Sequence, residues 1–159
     1  MNRGYCGIGI MYPKKQPNIG GLWRAATCFG ADFVFVVGSP WLTDGTDTTR
    51  AERHLPAFTF ADGEDLLAHA PVGCEFVAVE IDECATPLPE FVHPERAVYI
   101  LGSEVVGIDA ELLSECAHIV SIPTARCLNV VQAGECVLYD RIAKQHLAAR
   151  NAQEAEAAK

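Results

Sequence analysis

The 159-residue sequence has no apolar run near the 18 or so residues that a membrane span requires. Its first segment is apolar from Tyr5 to Tyr12 but has no small-residue cleavage site, and it runs directly into Lys14 and Lys15. A secretory signal is therefore not expected. The seven cysteines, at 6, 28, 74, 84, 116, 127 and 136, contain no CxxC pair. Scattered through apolar segments, they read as buried free thiols of a reducing compartment, the cytoplasm, rather than as disulfides. Only Cys116 and His118 lie close together. Structural zinc sites normally draw on four Cys or His ligands, so no metal is expected. Basic residues are scarce, with 12 Lys and Arg against 21 Asp and Glu and a formal net charge of −9. That balance works against nucleic-acid binding over the whole surface but leaves room for a local basic patch. There is no internal repeat and no inter-domain linker.

What is present is a globular composition, half of it hydrophobic, in which apolar runs alternate with helical patterns. Strands are expected at Tyr5–Tyr12, Asp32–Val37, Ala57–Phe60, Cys74–Glu80, Val98–Leu101 and His118–Ile122. Helices are expected at Ile19–Phe29, Asp62–His69, Asp109–Cys116 and from Asn129 to about His146. The almost wholly apolar run at Asp32–Val37 suits a strand covered on both faces. This alternation implies an α/β fold with a mostly parallel sheet and helices on both faces. Residues 1–147 form the expected domain, and the Ala-rich tail 148–159 is expected to fray or be disordered. The polar stretch Ser39–Pro56 reads as a long loop, either functional or simply solvated.

Ligands of parallel sheets gather beyond the carboxyl ends of the strands, where three segments fall. In Pro17–Arg24, Asn18 is a candidate N-cap and Arg24 is expected to project over Gly20 and Gly21, an arrangement that favours an anion. A capped helix with a surface arginine is the plainer reading. Leu101–Gly107 lacks both a dinucleotide fingerprint and a P-loop lysine. Its Glu104 could accept from a ligand, hold Arg24, or merely start a helix. In Ile122–Asn129 a strand stops at Pro123, and Cys127 lies near a helix N-terminus, where a thiol pKa can fall. No convincing histidine partner accompanies it, so covalent catalysis is not expected.

Taken in order, Asn18-Ile19-Gly20 with Arg24, then Leu101-Gly102-Ser103-Glu104-Val105-Val106-Gly107, then Ile122-Pro123 and Leu128-Asn129-Val130 before a final helix, the sequence resembles the SpoU/TrmH family of RNA 2′-O-ribose methyltransferases. The resemblance covers about Tyr5 to Arg141. It implies a deep trefoil knot near the C-terminus, an exception to the usual unknotted connections. It also implies a homodimer and S-adenosylmethionine as cofactor. By the same resemblance Val79, Gly102, Ile122, Cys127 and Leu128 would line the cofactor cradle. Asn18 and Arg24 would reach the RNA ribose, with Arg24 and the cofactor in different subunits, and Glu104 and Asn129 would complete the catalytic set. Arg50, Arg53 and Arg126 are candidate phosphate contacts. Transfer RNA is the expected substrate ahead of ribosomal RNA.

Two departures stand out: only Thr124, Ala125 and Arg126 separate Pro123 from Cys127, and Cys127 stands where most members have serine. Two other functions stay open on the sequence. One is a knotted enzyme that methylates a base. The other is a cofactor-binding protein without catalysis, which the acidic balance and the shortened loop would suit.

Overall fold

The computed structural model describes residues 4–39, 55–103 and 105–158. Among these, seven strands form one sheet: β1 (Tyr5–Met11), β2 (Phe33–Val37), β3 (Ala57–Phe60), β4 (Glu75–Val79), β5 (Thr86–Pro87), β6 (Arg96–Leu101) and β7 (His118–Ser121). Their order is β3-β2-β1-β6-β4-β7-β5, and every neighbouring pair is parallel. The helices are α1 (Gln16–Cys28), α2 (Gly63–His69), α3 (Ala110–Glu115) and α4 (Val130–Ala157). Helix α1 packs along α4, and α2 packs against α3. Each pair covers one face of the sheet, so the core is split into two apolar layers.

The central strand explains its own composition. Cys6, Ile8 and Ile10 point into the layer under α1 and α4. On the opposite face Gly7 and Gly9 carry no side chain, and a Cβ there would fall 2.1 Å from the Phe33 ring and 2.3 Å from the Phe35 ring. Strand β2 thus lays its phenylalanines across bare backbone of β1, a close approach only glycine permits.

Several boundaries depart from the expected ones. Asn18 is not the N-cap of α1; Lys15 is, and Pro17 sits in the first turn, where a missing N–H costs nothing. Strand β5 and a 3-10 turn at Leu88–Glu90 were invisible to periodicity because each is only two or three residues long. Helix α4 continues to Ala157, through the segment expected to fray. Ala, Gln, Glu and Arg are good helix formers, and extending an existing helix avoids the cost of nucleation. From Gln145 onward every described side chain is exposed. Nor are the cysteines uniformly buried: Cys28, Cys84 and Cys127 are exposed. Cys6 is in the core, where burial pushes its thiol up to about 12. Such a thiol stays protonated and inert at neutral pH.

The irregular segment 88–95 makes few backbone bonds of its own, Tyr5 N–H to Glu95 O and Phe91 N–H to Leu88 O among them, and α4 supplies further donors for its carbonyls. Buried Arg141 donates to Pro94 O at 2.6 Å, Glu95 O at 2.9 Å and the Tyr99 hydroxyl at 3.1 Å. Lys144 donates to Leu88 O at 2.6 Å and Phe91 O at 2.9 Å. His93 lies between Tyr99 (Nδ1 to hydroxyl, 2.6 Å) and Asp140 (Nε2 to Oδ2, 2.8 Å). Since the Tyr99 hydroxyl can donate to Nδ1 and the Asp140 carboxylate can only accept, the network assigns the neutral tautomer with its proton on Nε2.

Burial lowers the His93 pKa below its ordinary value, against the opposing pull of Asp140. The unfolded chain therefore binds this proton more readily, and stability must fall as pH drops below about 6.5. Urea denaturation at about pH 7.5 and about pH 5 should show wild type losing more stability on acidification than His93→Gln does. Equal losses would mean that His93 is not buried as the neutral form.

Candidate functional site

The carboxyl ends of β1, β6, β4 and β7 lie side by side, and the loops that follow them converge there. Between β1 and β6 the chain order reverses direction across the sheet, the kind of switch point at which α/β folds open a crevice. A cavity of about 200 Å³ lies at this end. Its walls are Val79, Glu80 and Ile81 after β4, Leu101, Gly102 and Ser103 after β6, Ile122, Thr124, Cys127 and Leu128 after β7, and Val130 and Ala133 of α4. All five residues expected to cradle a cofactor (Val79, Gly102, Ile122, Cys127 and Leu128) thus line one cavity. The lining is mostly apolar with a few polar groups, as small-molecule sites are.

Local structure shapes each wall. After β6 the chain makes a tight turn in which Gly107 N–H donates to Ser103 O at 2.9 Å and Val106 N–H donates to Ser103 Oγ at 3.1 Å. Gly107 has φ +73°, a left-handed conformation that favours glycine. A Cβ on Gly102 would fall 2.7 Å from Glu80 Oε2 and 2.8 Å from the Gly107 backbone. The floor of the cavity here is bare backbone, with the Glu80 carboxylate over it. After β7, Thr124 Oγ1 donates to Arg126 O at 2.8 Å and folds the short loop back on itself.

Asn129 ties the third loop to the first. Its Oδ1 accepts from Val131 N–H at 2.9 Å, and a capping box with Gln132 starts α4. Its Nδ2 donates to Asn18 Oδ1 at 3.3 Å. The two asparagines, 111 positions apart, therefore meet beside the cavity. Asn18 also lines a second, smaller cavity of about 80 Å³ together with Lys14, Lys15, Pro13 and Val105. The two cavities share Ser103 and Val130 as walls.

Arg24 is placed differently from its expected position. It is exposed on α1, lines neither cavity, and makes no ion pair or hydrogen bond among the described residues. Six positions after Asn18 put it about 9 Å along the helix and about 120° around it. Nor does it cover Gly20, since a Cβ there would meet nothing within 4 Å. Gly21 has a packing role instead: a Cβ would lie 2.9 Å from Val131 Cγ2, so its absence lets α1 approach α4. Arg126 is exposed beside the larger cavity. Glu104, Arg50, Arg53 and most of the 39–56 loop lie outside the described residues.

Sequence reasoning missed Lys14, Lys15, Glu80 and Ser103. The lysine pair gave the better signal, because it directly follows the first strand at the sheet end where ligands bind. Lys14, Lys15 and Arg126 are all exposed and unpaired among the described residues. An acidic chain therefore carries a local cationic surface around this site.

Comparison with known proteins gives a consistent assignment. The model of the SpoU rRNA Methylase family matches residues 7–139. The mouse protein tRNA (guanosine(18)-2′-O)-methyltransferase TARBP1 is 29% identical over 143 residues, which cover 84% of this chain and 9% of that protein. The 23S rRNA (uridine(2479)-2′-O)-methyltransferase of Streptomyces viridochromogenes is 24% identical over 159 residues, covering 91% of this chain and 55% of that protein. The chain thus spans about half, or far less, of the length of these curated relatives. Among solved structures, the SpoU methyltransferase AviRb from Streptomyces viridochromogenes in complex with AdoMet superposes with a TM-score of 0.76 at 21% identity, covering 91% of this chain and 59% of that one. On the family match, which takes in nearly all of the sheet, both cavities and the first third of α4, this chain belongs to the SpoU rRNA methylase family.

Proposed function

We propose that the protein is an S-adenosylmethionine-dependent RNA 2′-O-ribose methyltransferase that works as a homodimer. What carries this reading is the convergence of Val79, Gly102, Ile122, Cys127 and Leu128 on one cavity, with Asn18 and Asn129 joined at its side. Both curated relatives named above are 2′-O-methyltransferases, one of tRNA and one of rRNA. The lining suits such a cofactor. Apolar walls accept a purine and a methionine chain, and the backbone at Gly102 is uncovered where a side chain would intrude. When bound, the cofactor supplies an electrophilic methyl group on a sulfonium.

The residues of the chain then have to bind, orient and stabilise charge. A ribose hydroxyl is a poor nucleophile at neutral pH, so its oxygen must be stabilised as its proton leaves. Arg24 is a poor base, since a guanidinium keeps its proton above about pH 12. Its role is to clamp the adjacent phosphate and offset the developing negative charge. Asn18 and Asn129, with Glu104, hold the acceptor in line. Lys14, Lys15 and Arg126, and Arg50 and Arg53, draw the RNA backbone to the site. Arg24 lines neither cavity of its own chain, which supports a site completed by Arg24 of a second subunit. We place a deep trefoil knot in the segment from β6 to α4, on the strength of family membership. The expected compartment is the cytoplasm, and tRNA is the substrate class to test first.

The reading is tested by incubating the protein with methyl-labelled S-adenosylmethionine and separate tRNA and rRNA pools. Label should enter acid-precipitable RNA. Cofactor binding without transfer to any pool would favour a non-catalytic binding protein. A salt titration of RNA binding reports on the cationic surface. Lys14→Ala and Lys15→Ala should each weaken RNA binding and reduce the slope of log affinity against log salt by about 0.7–0.9. An unchanged slope would remove these lysines from the RNA path.

A further inference from the structure

Among the described residues, Glu80 is the carboxylate that lines the larger cavity, and neither the motifs nor the proposed catalytic set uses it. It follows β4 directly, where its N–H donates to Val120 O of β7 at 3.1 Å. Its Oε1 accepts from Ile81 N–H at 3.1 Å. Its Oε2 lies over the uncovered backbone of Gly102 and Gly107, at 2.7 and 3.2 Å from where their Cβ atoms would be. No cation pairs with it among the described residues. An ionised carboxylate only accepts hydrogen bonds, and each of its oxygens has room for more than one. A free acceptor left facing an apolar cavity is costly unless a donor meets it there. Glu80 is only half-buried, so a ligand that fills the cavity and excludes water has to supply that donor itself.

The strand order says which part of the ligand that is. Across the site end the strands run β1, β6, β4, β7. The smaller cavity, beside β1, is bounded from the larger one by Ser103 and Val130. The reactive methyl group must face that boundary to reach an acceptor, which puts the sulfonium near the end of β6. The apolar slot of Ile122 and Leu128 lies at the end of β7 and suits the purine. Between them, one strand spacing of about 4.8 Å from each side, is the end of β4. The ribose joins base to sulfonium, so it falls over Glu80, whereas the amino-acid ammonium lies beyond the sulfur.

We propose that Glu80 reads the vicinal hydroxyls of the cofactor ribose and so selects ribonucleoside over deoxyribonucleoside ligands. This rests on the reading of the larger cavity as the S-adenosylmethionine site.

The test is a thermodynamic cycle between residue and ligand hydroxyl, read by titration calorimetry on the full chain. The ligands are S-adenosylmethionine, S-adenosylhomocysteine and the 2′-deoxy and 3′-deoxy analogues of the latter. Wild type should bind S-adenosylhomocysteine about 10–100-fold more tightly than at least one deoxy analogue, the range of a hydrogen bond to a charged group. In Glu80→Ala that preference should shrink to about twofold or less. The near-isosteric Glu80→Gln, which can still accept from Ile81 N–H, should retain part of it. A variant that loses affinity equally for every ligand, with the hydroxyl preference intact, overturns the proposal and leaves Glu80 a role in the turn alone. A loss confined to the cationic S-adenosylmethionine, with S-adenosylhomocysteine unaffected, also overturns it and assigns Glu80 to the sulfonium charge. Wild type binding none of the ligands overturns the methyltransferase reading itself, and this inference with it.

Discussion

Arg24→Ala is expected to lower kcat for RNA methylation by about 10²–10³-fold, the loss seen when one preorganised charge-stabilising donor is removed. The affinity for S-adenosylmethionine should stay within about twofold of wild type, because the group Arg24 is proposed to clamp is the RNA phosphate and not the cofactor. Arg24→Lys should recover only part of the rate, since an ammonium keeps the charge but not the two-pronged fork that matches a phosphate. The position of Arg24 adds a sharper consequence. If it serves the cavity of a second subunit, Arg24→Ala and Gly102→Val lesions lie on opposite sides of a shared site. Mixing the two inactive proteins under conditions of subunit exchange should restore about a quarter of wild-type activity. Half of the dimers would then be mixed, each with one intact site. No recovery on mixing, with exchange demonstrated, would place Arg24 and the cofactor in the same chain.

Arg141→Met should destabilise the fold by about 3 kcal/mol. Arg141 is 5% exposed and donates to two carbonyls and a hydroxyl. Truncation leaves Pro94 O without this donor in the interior, at about 1–3 kcal/mol for an unsatisfied group, and takes a second donor from Glu95 O, which keeps Tyr5 N–H at 3.1 Å. Methionine fills part of the lost volume. For a chain of this size the loss corresponds to a fall in Tm of about 6–12 °C. Lys144→Met provides the contrast. Lys144 also bonds two carbonyls, Leu88 O and Phe91 O, but its side chain is 33% exposed, so water can replace it and the cost should be about 1 kcal/mol. Equal effects from the two substitutions, or less than about 1 kcal/mol from Arg141→Met, would contradict the account of α4 as the element that satisfies the 88–95 segment.

The pattern of strands and helices was legible because the signals are local. Apolar runs of five to seven residues and capped helical stretches declare themselves, as Asp62 does by accepting from Asp65 N–H at 2.9 Å at the start of α2. Strand order is not local. Nothing in Glu75–Val79 says that it lies between β6 and β7. Glu80 stayed invisible for that reason: a carboxylate just after a strand reads as solvated until Gly102 of the neighbouring strand is seen beneath it. The three loops could be assigned to the sheet end from the strand–helix alternation alone, but the contact between Asn18 and Asn129 is a product of the fold. Arg24 shows the opposite limit. Helix geometry correctly puts it on α1 and says nothing of what it meets, because its proposed partners are on another chain.

The position of the transferred methyl group tests the reading most directly. A 2′-O-methyl group blocks the hydroxyl that alkali uses to cleave the neighbouring phosphodiester. After reaction with methyl-labelled S-adenosylmethionine and alkaline hydrolysis of the RNA, label should be recovered in alkali-resistant dinucleotides. Mass spectrometry of a full digest should give a 2′-O-methylnucleoside that is absent with Arg24→Ala. Label released instead in mononucleotides that carry a methylated base would contradict ribose methylation and identify a base-modifying enzyme.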